Sequence, residues 1–144
     1  MNVETILRTK GAKVVTITPD TPIGEATKIL KRARIGALVV SDDGSNVLGI
    51  LSERDIVSAL ADPTKRTGLV DKPASGLMTR EVLTCAPDDT VQKCMAMMTD
   101  QRVRHLPVVS EGRMIGLISI GDVVKNRLEE LESEAGFLRE LITS

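Results

Sequence analysis

Two serine–aspartate pairs stand at matching places in this chain of 144 residues. GILSERD occupies residues 49 to 55 and GLISIGD residues 116 to 122. Gly49, Ser52 and Asp55 recur as Gly116, Ser119 and Asp122, each 67 positions later. In both blocks an apolar strand runs out at a hydroxyl residue, and a carboxylate follows three positions on. S-x-x-[DE] at such a place is a capping-box signature: the serine oxygen accepts from a backbone N–H of the helix, and the carboxylate reaches back. The same geometry can hold a ligand. A helix N-terminus presents free N–H groups and the positive end of the helix dipole, which suits an anion. Duplication copies a cap as readily as a site, so both readings stay open at this level.

The remaining residue types narrow the chemistry. His105 is the only histidine, so neither a metal site nor a Ser-His-Asp relay has a second imidazole or a helix-spaced ligand pair to build on. Cys85 and Cys94 read as two small buried thiols. Phe137 is the only aromatic residue, so the core must be aliphatic and a flat ligand must lie between aliphatic side chains. The basic run Lys28, Lys31, Arg32 and Arg34 has no interleaved aromatics and reads as a solvated helix face, not a nucleic-acid site. A net charge of -1 offers nothing to nucleic acid or to an anionic membrane. No apolar run reaches the ~18 residues of a membrane span, and Met1-Asn2-Val3-Glu4 does not open a signal peptide. The expected location is the cytoplasm.

The elements that must position these residues are written twice. VTITPDTPIGEA (residues 15 to 26) matches LTCAPDDTVQKC (83 to 94), with Pro19 over Pro87. GALVVSDDG (36 to 44) matches HLPVVSEG (105 to 112), with Val39 and Val40 over Val108 and Val109. The spacing thus steps from 68 to 69 and then to 67, which implies two small indels in connections. Each copy reads as a strand (Val14 to Ile17; Val82 to Cys85), a helix with apolar residues at helical spacing, a strand hairpin and a closing helix. The fold class is α+β: two tandem β-α-β-β-α units with pseudo-twofold symmetry, each a three-stranded sheet with its helices on one face. One copy of about sixty residues is marginal alone, whereas two can cover each other and leave two equivalent crevices. Asp62 to Gly76, with Pro63, Gly68, Pro73 and Gly76, reads as an exposed connection that hands Met78-Thr79 to the second copy.

The paired G-h-h-S-x-x-D blocks, HLPVV, the Pro-Asp openings and LMTREV together resemble tandem CBS domains, a Bateman module, over roughly residues 5 to 127. The boundaries that follow are 1–68 for the first repeat with its lead-in, 69–127 for the second and 128–144 for a C-terminal helix. The resemblance implies crevices that bind adenine nucleotides: AMP, ADP, ATP, NAD(H) or S-adenosylmethionine. It assigns ribose hydroxyls to Asp55 and Asp122, and ribose or phosphate to Ser52 and Ser119. It adds Thr16 and Thr84 at the ends of the first strands, with Thr79 at the entry to the second copy. Backbone groups around Gly36-Ala37 and His105-Leu106 would read the adenine edge. An ionised aspartate can accept both donors of a vicinal diol, and Arg54, Arg102 and Arg104 can meet phosphates. The second block has Ile120-Gly121 where the first has Glu53-Arg54, so unequal sites are expected.

The chain ends differently. Leu128, Leu131, Ala135, Leu138 and Ile142 form an amphipathic stripe, weakened near the end by Gly136. It would dock on its own repeat or join a homodimer. The expected role is a non-catalytic regulatory module with no obligatory cofactor and no metal. It would act as a homodimer or on a separate regulated protein, without nucleic acid or membrane. CBS pairs also occur inserted in inosine-monophosphate dehydrogenases, but the ~250 residues of that catalytic barrel are not in this sequence. A structural dimerisation scaffold that binds no nucleotide is the competing class.

Overall fold

The fold is given by a computed structural model that describes residues 1–143. In chain order it has α1 (Val3–Lys10), β1 (Thr16–Ile17), α2 (Ile23–Ala33), β2 (Ala37–Val40), β3 (Gly49–Ser52) and α3 (Glu53–Ala61). Then come α4 (Val91–Gln101), β4 (His105–Ser110), β5 (Arg113–Ser119) and α5 (Ile120–Thr143). The α+β class and the duplicated order hold. In the first copy β1 runs parallel to β2, and β2 pairs antiparallel with β3. In the second, β4 and β5 form the hairpin, and the strand expected over Val82 to Cys85 shrinks to one parallel bridge, Cys85 with Val108. Val82 and Leu83 instead line a crevice between the copies.

Strand pairing also corrects the alignment of the copies. Ala37 opposes Ser52, and His105 opposes Ser119. His105 is therefore the counterpart of Ala37, Leu106 of Leu38 and Val108 of Val40. The spacing stays at 68 from β1 to β4, and a single residue is lost in the hairpin before Gly116. The identity of Val39-Val40 with Val108-Val109 misled by one position. Such a slip matters, because it moves every side chain to the other face.

The cores show an exchange that residue order conceals. Val3, Ile6 and Leu7 of α1 are buried with Cys85, Val91, Cys94, Met98, Leu106, Val108, Ile118 and Val123, all from the second copy. Leu69 and Ala74, which lead into the second copy, are buried with Ile17, Ile23, Leu30, Leu38, Leu51 and Ile56 of the first. The bridges Asn2–Thr90 and Pro22–Pro73 repeat the same swap at the edges. Asp62 to Gly76 is thus no plain exposed linker, because two short 3-10 turns at Leu69–Asp71 and Ala74–Gly76 seal the first core. By packing, the lead-in helix α1 goes with the second copy, not with the first copy it precedes. The hidden signal was Val3, Ile6 and Leu7, spaced 3 and 4 on a helix capped by Asn2.

The glycine of each G-h-h-S block has its reason here. A Cβ at Gly49 would lie 2.5 Å from Met78 Sδ, and one at Gly116 would lie 2.6 Å from Leu7 Cδ2. Each glycine lets the other copy's lead-in cross the strand. α5 is one continuous helix from Ile120, since nothing before Gly136 interrupts it and one glycine weakens a helix without ending it. Its expected docking on its own repeat is confined to the first turns, where Val123 and Asn126 are buried. Among the described residues no helix is long and apolar enough to cross a membrane.

Candidate functional site

Both serine–aspartate pairs are capping boxes. Ser52 Oγ accepts from Asp55 N–H at 3.2 Å, and Asp55 Oδ2 accepts from Ser52 N–H at 2.9 Å. Ser119 Oγ accepts from Asp122 N–H at 3.2 Å, and Asp122 Oδ2 accepts from Ser119 N–H at 2.8 Å. The strand ladder fixes each serine, and the cap then fixes each carboxylate at the mouth of a helix. The two environments diverge from that point.

Around Asp55 lies a crevice of about 490 Å³ between the copies, within the size range of small-molecule sites. Ile50, Ser52, Glu53, Arg54, Asp55 and Val57 come from β3 and α3. Thr79, Glu81, Val82 and Leu83 come from the segment that crosses between copies. Arg102, Val103, Arg104 and His105 come from the α4–β4 corner. Thr79 is held by backbone bonds in both directions with Ile50, at 2.9 and 3.0 Å, so it extends the first copy's sheet instead of opening the second's. Arg102 ends α4 in the left-handed region, φ 54, with its N–H bonded to Met98 O.

Of the residues singled out from sequence, Gly36, Ser52, Arg54, Asp55, Thr79, Arg102, Arg104 and His105 meet in this crevice. The ladder buries the side chains of Ala37 and Leu106. Thr16 is half-buried at the end of β1, and Thr84 is exposed. Ser119 and Asp122, at the strand end and start of α5, are not among its lining residues, although Ser119 pairs with His105, which is. Ile50, Glu53, Val57, Ser58, Glu81, Val82, Leu83 and Val103 were missed. Ile50 and Glu53 stood inside the quoted block, but Glu81, Val82 and Leu83 depend on how the crossing segment runs.

The crevice mixes charge. Arg54, Arg102 and Arg104 line it together with Glu53, Asp55 and Glu81, and Ile50, Val57, Val82 and Val103 add apolar surface. Guanidinium groups suit phosphate, carboxylates suit hydroxyl donors, and apolar walls suit a flat base. His105 sits against Gly36: a Cβ there would lie 3.3 Å from His105 Cε1 and 3.8 Å from Glu53 Oε1. Burial holds the His105 pKa below its ordinary value. Lys10 adds to this, while Asp122 and Glu53 oppose it. His105 thus feels charges from both copies, Glu53 of the first and Asp122 of the second.

Asp122 is already engaged. Lys10, the last residue of α1, donates to Asp122 Oδ2 at 2.7 Å and to Leu117 O at 2.9 Å. Burial alone would raise the Asp122 pKa, but the bonds from Lys10 and Ser119 outweigh it and hold it below the usual carboxylate value. Among the described residues, no three His, Cys, Asp or Glu side chains gather as a metal site.

A family model for the CBS domain matches residues 3–62 and 74–129, which is most of the chain and both copies. The chain belongs to the CBS-domain family. It is 44% identical to the CBS-domain protein ATU1752 of Agrobacterium tumefaciens, whose crystal structure superposes with a TM-score of 0.83, covering 88% of this chain and 99% of that one. It is 35% identical to a 17.7 kDa protein of Acidianus ambivalens over 81% of this chain and 69% of that protein. The CBS pair of protein MJ0100, solved with 5′-methylthioadenosine and S-adenosyl-L-methionine, is 27% identical with a TM-score of 0.78, over 90% of this chain and 98% of that one. Curated relatives run longer: the chain spans from 22 to 69% of the length of the first three. The two β-α-β-β-α units are therefore a CBS pair, and the crevice beside Asp55 lies between its repeats.

Proposed function

We propose that this CBS pair is a non-catalytic sensor that binds an adenine nucleotide in the crevice beside Asp55 and passes the signal to a second copy or to a separate regulated protein. One observation carries this. The Asp55 carboxylate spends Oδ2 on its helix cap and still lines a 490 Å³ crevice that also holds Arg54, Arg102 and Arg104. A carboxylate beside guanidinium groups fits ribose hydroxyls next to phosphate. The adenosine-type ligands of the MJ0100 pair support the base and sugar half of this reading. The adenine would lie between Ile50, Val57 and Val82, the apolar walls at hand.

The test is isothermal titration with AMP, ATP, NADH and S-adenosylmethionine, after checking the protein for co-purified nucleotide. The expected result is saturable binding that Asp55→Ala abolishes while costing about 1 kcal/mol of stability from the lost cap. Arg104→Ala should weaken AMP and ATP but leave adenosine unaffected. Unchanged binding in Asp55→Ala, or no binding to folded ligand-free protein, would reduce the block to a helix cap and favour a scaffold role.

A further inference from the structure

α5 runs well past the second core. Its first turns dock through Val123 and Asn126, and Glu130 takes the chain's N-terminal ammonium at 3.2 Å. A different side of the helix carries Val124, Leu128, Leu131, Ala135, Leu138 and Ile142, alternating steps of 4 and 3. That is a heptad seam with two apolar positions in seven. It is open: Leu128 is 55% exposed, Leu131 43%, Leu138 57% and Ile142 83%. A stripe of large aliphatic side chains in water is a cost unless something covers it.

The residues flanking the seam say what covers it. Arg127 and Glu134 lie on one flank, Glu132 and Arg139 on the other. In a parallel two-stranded coil, each residue of the first flank faces the residue five positions on in the other helix. Arg127 then faces Glu132 of the second copy, and Glu134 faces Arg139. Both contacts are opposite in sign, and twofold symmetry doubles them. An antiparallel pairing sets like flank against like flank, where Arg127 can meet Glu134 and Glu132 can meet Arg139, so the charges suit a second copy in either direction.

We infer that α5 from Val124 to Ile142 is a two-stranded coiled-coil seam whose partner is a second copy of this chain. This rests on the homodimer part of the reading above and is independent of the ligand.

Sedimentation of the full chain tests it. Wild type should be a dimer. Leu131→Glu with Leu138→Glu should raise the dimer Kd by about a hundredfold or more, since it buries charge in the seam, with an unchanged circular dichroism spectrum because neither leucine is in a core. Glu134→Arg alone should weaken the dimer about tenfold, and association should return with Arg139→Glu for parallel helices or with Arg127→Glu for antiparallel ones. A monomeric wild type would overturn both this inference and the homodimer reading. A dimer indifferent to the leucine double variant would keep the homodimer and overturn the seam. Failure of both second reversals to restore association would overturn the charge match across the seam. Nucleotide titration of the leucine double variant keeps the ligand reading separate.

Discussion

Asp55 and Asp122 cap their helices with matching pairs of bonds, yet Asp122 also holds Lys10 at 2.7 Å. A ligand hydroxyl approaching Asp122 must displace an ammonium that is itself bonded to Leu117 O. Titration of wild type should therefore give about one site per chain, and Lys10→Met should reveal a second, provided the wild-type crevice binds as proposed; an unchanged stoichiometry would show that Lys10 is not the obstacle. The pH dependence has a definite sign. The folded pKa of His105 lies below its unfolded value near 6.5, so the folded state disfavours the charged ring. That stability is full above pH 6.5 and is lost as pH falls from there through the folded value. Melting temperature should drop over that window in wild type and drop less in His105→Gln. Asp122, also depressed, gives up its contribution further down, as pH falls below its ordinary 3.8.

α1 is an element whose role depends on a distant partner. Leu7 is buried against Gly116 and the second core, though more than 70 residues separate it from any of its core neighbours there. Leu7→Ala should cost about 2–5 kcal/mol in urea unfolding, the range for emptying a packed leucine site. A loss below 1 kcal/mol would mean α1 lies loosely on the surface. Gly49→Val should also destabilise, by about 1–3 kcal/mol, because the added side chain meets Met78 and the Thr79 carbonyl. The strands are less informative as elements: β1 has two paired residues, and its counterpart at Cys85 has one bridge. Short edge pieces of this kind are held by the cores beneath them more than by their ladders.

For the whole molecule, exchange of lead-ins means that neither repeat completes its core from its own sequence. Unfolding should be a single cooperative transition, with circular dichroism and the near-ultraviolet signal of an engineered Trp in α1 coinciding. A first repeat cut at residue 68 lacks Leu69 and Ala74, and should not fold alone. Two separate transitions in the intact chain would argue that the exchange contributes little. A body built this way ties the crevice beside Asp55 to both cores, and His105, which lines it, feels Glu53 of the first copy and Asp122 of the second.

Recurrence determined much by itself. The repeated S-x-x-D blocks, the alternating strands and the helical spacing were enough for the α+β class, the duplication and the caps, because each of these is a local property of a few neighbouring residues. Half of the candidate site was legible for the same reason: Ser52, Arg54 and Asp55 share one turn. Only the tertiary structure decided that the carboxylate of Asp122 belongs to Lys10, that Glu81, Val82 and Leu83 line the crevice, and that α1 completes the far core. Those facts depend on which segment crosses which glycine, and on a strand register that residue identity placed one position out. Pairings between distant segments are set by the packing of the whole chain, and no short window of sequence contains them.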